Sequence, residues 1–520
     1  MNTDRRISYD AALSKSYWAW RSNPALSVPT MMASSLGIIA EVILGIFGIA
    51  YLSSNEGNSL LTRLIQDLMS GNLGRLSDAR SVVMSSGFYI PLLTFMIPAM
   101  IMTLVAEVLA SGFVYSAEFG SYQRALEGNR VDIPSVMVEF RKRWRPMAST
   151  YFLSYFITFA PILCFGLAAL GMTLAGVSSV LFSSVLLLFG VLGTAAVAAL
   201  LIYTPVVVCA EDLRGWRAVS KSASAVISHP GPSLAYSVVY LLLTSAVSGV
   251  ASLVPGLNLP LASLASVGIL IIVTPVLHLS KSSLFRQISG GEQIDQVWPT
   301  PLQNDLGWSL ARMLLSKLRT GLGQLVSYTT DRRNFSYHIV ASAALVTGLI
   351  GGITLGRGGV DQLIFSLGYS PGQINPVVTG SLPLTLGVYI FLHNWQVSLA
   401  TALSGVWMSV IPVGTLFLNG VIIGVVYTLV PNTLMLAAAL LPHGVIEVPS
   451  FIIAGSAGLK LGITYFRALR SQEAGQGQDM LGRVATQTVY VVVGLALLFL
   501  IAGLIEGNVT PWLMRLAGWS

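Results

Sequence analysis

The sequence predicts an all-α fold: a polytopic transmembrane helical bundle of about 11 spans, six and then five, with amphipathic helices at the interface. Three observations predict it. Of the 520 residues, 54% are hydrophobic and only 10% are charged, whereas soluble domains average about 25% charged. The mean hydropathy is +0.74. The apolar residues fall in runs of roughly twenty, long enough to cross a hydrocarbon core as a helix, which excludes a barrel of ten-residue alternating strands.

The first thirty residues are polar and basic (Arg5, Arg6, Lys15, Arg21), and the apolar run that follows, from Met31 to about Tyr51, carries Glu41 inside it. It is longer than a signal-peptide core and reads as a retained first span. Hydropathy windows place the spans at about 31–52, 88–113, 148–172, 179–207, 232–254 and 260–280, then 338–356, 388–411, 413–436, 444–466 and 486–505. The basic residues fix the orientation. With the N-terminus cytoplasmic, 24 of the 29 Lys and Arg fall on the inside, leaving Arg63, Arg75, Arg80, Arg357 and Arg515 outside. One missed span would invert every later loop, so the asymmetry supports the count and puts the C-terminus outside a cell membrane.

The net charge of +7 is therefore topology and contact with anionic lipid. No aromatic platform interleaves the basic residues, so nucleic acid is not expected as a partner. Cys164 and Cys209 lie far apart in apolar runs and suggest neither a disulfide framework nor a zinc pattern.

Three parts follow: a six-span domain over 1–283, a cytoplasmic linker with an amphipathic helix over 284–336, and a five-span domain over 337–520. In the linker, Leu306 to Leu325 places Leu310, Leu314, Leu315 and Leu318 near one face, the spacing of an interfacial helix. In the first domain, Val131 to Pro146 and Glu211 to Gly231 are basic segments that each precede a pair of spans, a weak internal repeat. Glu41 and Glu107 sit inside apolar runs, where a charged side chain costs about 2.5–3.5 kcal/mol. They line a proton or cation path, or else they are neutral and hydrogen-bonded to neighbours such as Ser34, Ser35 and Thr103.

In the second domain, Gly348, Gly352 and Gly356 repeat every fourth residue, as do Gly420 and Gly424, and Gly458 and Gly462. Small residues so spaced let helix backbones approach closely, within the chain or across a homo-oligomer seam. The segment LPHGVIEVPS, Leu441 to Ser450, is expected between two spans, bracketed by Pro442 and Pro449. His443 and Glu447 share a face there if it is helical. A catalytic zinc normally has three protein ligands, and the third would have to come from a residue as distant as His393. The expectation is therefore a hydrogen-bonded pair that fixes the turn between spans or protonates as a unit, with no metal and no cofactor.

The run from about Phe335 to Pro511 resembles the stage II sporulation protein M family. The matching elements are FLHNWQVSLATALSG (Phe391 to Gly405), FLNGVIIG (Phe417 to Gly424), LPHGVIEVPSFIIAGSAGLKLG (Leu441 to Gly462) and GLIEGNVTP (Gly503 to Pro511). The resemblance marks His393, Asn394, Asn419, Gly420, His443, Gly444, Glu447, Pro449 and Glu506 as signature positions. The six-span half is similar only loosely to uncharacterised membrane domains in which a surface helix precedes each hairpin. The family resemblance implies no catalytic chemistry: its namesake works in a membrane complex with cell-wall hydrolases. The expectation is a non-enzymatic scaffold with membrane or extracytoplasmic protein partners; a transporter or channel using buried carboxylates is the alternative.

Overall fold

The computed structural model describes residues 7–52, 92–174, 180–252, 264–290, 306–357, 383–407, 409–430, 432–470 and 474–517, which are helical with no strand among them. The first helices are α1 (Tyr9–Ser22), α2 (Val28–Ala33), α3 (Leu36–Leu52), α4 (Ile97–Leu126), α5 (Ile133–Lys142), α6 (Trp144–Leu174) and α7 (Val180–Leu200). They are followed by α8 (Thr204–Ala210), α9 (Trp216–Ser228), α10 (Pro230–Ser252), α11 (Thr274–Ile288) and α12 (Leu306–Thr330). The last five are α13 (Phe335–Leu355), α14 (Pro383–Ser404), α15 (Val410–Leu429), α16 (Thr433–Arg470) and α17 (Ala474–Leu516).

Among the described residues nine helices are long and apolar enough to cross a membrane, or ten if α9 and α10, bent by 100° at their junction, count as one broken span. The expected eleven is thus not reached by these criteria. The expected eighth span is α14, which has 22 residues but carries His393, Asn394 and Gln396 in its middle, and these lower its hydropathy.

The two basic segments of the repeat form short helices. Asp132 caps α5 by accepting from the Ser135 amide at 2.9 Å, and Ser135 answers in a capping box. α9 buries Ala218, Val219, Ser222, Ala225 and Val226, an i, i+4, i+7 stripe. Its Ser222 hydroxyl accepts from the Tyr203 amide at 3.1 Å. α1 adds a third such helix ahead of the first span, capped by Ser8.

The chain forms two compact units. The first is Met1–Ala33, Val108–Val247 and Gly268–Ser309, and the second is Ser34–Glu107, Ser248–Val267 and Leu310–Ser520. In the first unit, Glu139 is buried and pairs with Arg124 at 3.5 Å and Arg143 at 3.4 Å. Arg143 also reaches Asp212 at 3.3 Å. Several of the basic residues counted as topological signals therefore also hold helix ends together.

In the second unit α13 lies along α15, and α17 lies along both α16 and α14. α3 packs on α15, where Leu418 fills the space beside Gly45 and Val42 the space beside Gly414. Trp407 Nε1 donates to Ser35 Oγ at 2.7 Å. The first span thus completes the core of the C-terminal bundle. α12 is the helix expected in the linker, but its packed face is Lys317, Gly321, Leu325 and Tyr328: Lys317 Nζ donates to Tyr490 at 3.1 Å and Tyr328 meets Ser456 at 3.2 Å. Leu314 and Leu315 are exposed, leaving that part of the leucine face for the interface. Residues 291–305 of the linker lie outside the described residues.

Candidate functional site

LPHGVIEVPS does not form a turn. α16 runs unbroken from Thr433 to Arg470 with Pro442 and Pro449 inside it. In water a helix-interior proline costs about 3 kcal/mol, but within a membrane an interrupted helix would leave still more polar backbone unsatisfied. Because the helix is continuous, His443 and Glu447 are one turn apart on one face.

The neighbour that faces them is α17. His443 Nε2 stands 3.9 Å from Glu506 Oε2, and its Nδ1 is 3.3 Å from the Thr510 hydroxyl. Glu506 and Thr510 are likewise one turn apart, so two i, i+4 pairs meet across the two helices. One ligand atom from each of His443, Glu447 and Glu506 lies within 4.8 Å of the others. His443 is 9% exposed. Glu447 Oε2 is buried and has no hydrogen-bond partner, and the Asn394 side chain on α14 is within hydrogen-bonding reach of the Glu447 carboxylate. Neither carboxylate pairs with Lys or Arg among the described residues. At 1.5 Å per residue, His443 lies about 15 Å along α16 from Thr433, and Glu506 about 15 Å before the end of α17, so the two share a depth. Towards those ends Leu434, Ala437, Ala438, Leu441, Leu513 and Leu516 wall an apolar groove of about 500 Å³.

The other residues singled out in the sequence lie elsewhere. His393 is exposed and stacks on Tyr389, with centroids 6.1 Å apart. The third group beside His443 and Glu447 is therefore Glu506, while α14 contributes Asn394, the neighbour of His393. Asn419 donates to the carbonyl of Thr415 at 3.0 Å, a contact within its own helix. Glu41 is exposed and Glu107 half-buried. No hydrogen bond or ion pair joins them among the described residues, and the Thr103 hydroxyl, an expected partner, is buried without one.

The glycines form seams within the chain. A Cβ at Gly348 or Gly352 would strike the backbone of Phe417 or Val421, and one at Gly420 or Gly424 would strike that of Leu345 or Leu349. Gly356 faces Thr428, and Gly462 faces Gly405 and Ser409. A Cβ at Gly458 would come within 2.9 Å of the Ala402 carbonyl. These faces are filled inside the bundle, so this structure gives them no role in a homo-oligomer seam.

The first unit holds a charged cluster that the sequence did not disclose. Glu118, 1% exposed, meets His278 Nδ1 at 2.5 Å and accepts from Tyr122 at 3.1 Å. Lys281, 7% exposed, lies 4.6 Å from the centre of the Phe119 ring. The buried carboxylate thus has an imidazole and a phenol as hydrogen-bond partners, with an ammonium close by.

In a comparison with protein families, residues 339–511 fit the model of the family described as Stage II sporulation protein M. Asn394, His443, Glu447, Glu506 and Thr510 lie within that stretch, whereas Leu513 and Leu516 of the groove lie beyond it. No curated protein and no solved structure matches the chain.

Proposed function

We propose, from this stage II sporulation protein M match over the C-terminal part, that the protein is a non-enzymatic organiser of a protein complex in the cell membrane. The observation that carries the proposal is the set of glycine seams. Backbone-to-backbone contact along α13 with α15, and of α16 with the turn after α14, makes a stiff bundle. Such a bundle suits holding partners in register better than alternating between open states. The N-terminus is cytoplasmic and the C-terminus extracytoplasmic in this proposal, as the basic residues direct. Crosslinking in native membranes at native expression recovers a defined membrane or extracytoplasmic partner; a chain that stays solitary defeats the reading.

A second reading, a path for an ion or small solute, is favoured by the ionisable groups gathered at one depth between α14, α16 and α17. Intramembrane carboxylates commonly mark such paths. Reconstituted vesicles then show a flux that falls in Glu447→Gln, and its absence removes this reading.

A further inference from the structure

The charge balance of the His443 cluster is unusual for its position. Two carboxylates and an imidazole lie side by side in apolar helices with no Lys or Arg to match them among the described residues. Charged groups in such places are normally paired, and in the same protein the buried Glu118 has the His278 imidazole against it at 2.5 Å. Two ionised carboxylates and a neutral imidazole together carry a charge of about −2, which one divalent cation cancels.

We propose that His443, Glu447 and Glu506 bind a divalent transition-metal cation of the zinc class. Donor chemistry, geometry and surroundings support it independently. One imidazole nitrogen and two carboxylate oxygens are a mixed N/O set, which suits zinc and its neighbours better than the all-oxygen shells of calcium or magnesium. Ligand atoms around tetrahedral zinc stand about 3.4 Å apart, given bonds of about 2.1 Å. His443 Nε2 and Glu506 Oε2 are 3.9 Å apart and the three ligand atoms lie within 4.8 Å of one another, so side-chain shifts of about 1 Å bring them onto one ion. The unsatisfied Oε2 of Glu447 is a buried acceptor awaiting a positive partner.

The outer partners are also in place. Thr510 lies at the Nδ1 of His443, on the opposite side of the ring from the liganding Nε2, and Asn394 reaches Glu447. Metal ligands are ordinarily oriented by such contacts. Three protein ligands leave a fourth position for water or a group on a partner.

The site stands whether the protein organises a complex or conducts a solute, and its test is separate from crosslinking and flux. The full-length protein, purified in detergent, is stripped with chelator, loaded with Zn²⁺ or Co²⁺ and desalted. The expected result is one equivalent of retained metal per chain, with visible Co²⁺ bands of a four- or five-coordinate N/O site. Zn²⁺ raises the melting temperature of wild type, Mg²⁺ does not, and chelator reverses the rise. His443→Ala and Glu506→Gln weaken binding at least about tenfold, while His393→Ala and Glu41→Gln bind as wild type does. The proposal is overturned if wild type retains no metal and shows no Zn²⁺-dependent shift, or if His443→Ala binds equally well. The two wild-type measurements decide it even if a ligand variant fails to fold.

Discussion

Removing the carboxylate of Glu118 would strip His278 and the Tyr122 hydroxyl of their buried partner. Breaking a buried pair from one side costs about 3–5 kcal/mol. Glu118→Gln is therefore expected to lower the melting temperature far more than Glu41→Gln, whose side chain is exposed, with thermal unfolding in detergent as the measure. Asp132 gives a pH-dependent effect at the same scale. Burial alone would raise its carboxyl, but hydrogen bonds from the Ser135 hydroxyl and amide, with Arg130 nearby, carry it below the ordinary aspartate value. A depressed carboxyl contributes stability that is present above its unfolded value and lost as pH falls through its folded one. Asp132→Ala should cost α5 about 1 kcal/mol at neutral pH and abolish the acid-side loss; hydrogen exchange of the α5 amides reports both. The Glu118 contact escaped the sequence because its partner His278 is 160 residues away. Glu506 could be marked by resemblance, yet nothing local to it says that it faces His443.

At the scale of elements, the seams separate two kinds of glycine. A methyl group at Gly352 meets the Val421 backbone, whereas one at Gly444 meets nothing within 4 Å. Gly352→Ala is expected to destabilise by about 1–3 kcal/mol through overpacking, and Gly444→Ala to stabilise by about 0.5–1 kcal/mol through helix propensity. Equal melting temperatures for the two variants would contradict the packing described. The helix positions were legible from apolar runs, and the same-face pairing of His443 with Glu447 from their spacing. The continuity of α16 was not, because Pro442 and Pro449 carry the signature of a loop in water. Nor was the joining of α3 to the C-terminal bundle, since the packing of Val42 against Gly414 leaves no periodic trace. α12 was legible as a helix, but its packed face was not: Gly321 brings it against Gly494, and a small residue does not register as part of an apolar stripe.

For the whole molecule, the open quantity is the path of the chain through the bilayer. In the proposed orientation, single cysteines at Gln293 and Gln373, both outside the described residues, are labelled from the inside and the outside respectively. Cys164 is exposed and is replaced by serine first. Labelling of both positions from one side contradicts the proposed orientation of the chain. Composition alone established a membrane protein, and a few charged residues supplied its proposed direction. The assembly into two units depends on contacts between distant segments, which hydropathy does not encode. The 100° bend between α9 and α10 bears on how such a protein meets bilayers of different thickness. A free span adapts to a mismatch by tilting, but α10 cannot tilt without levering α9 away from the Tyr203 amide that holds Ser222. A thickness mismatch at α10 is then shared between tilting of this bracket and stretching or thinning of the lipid beside it.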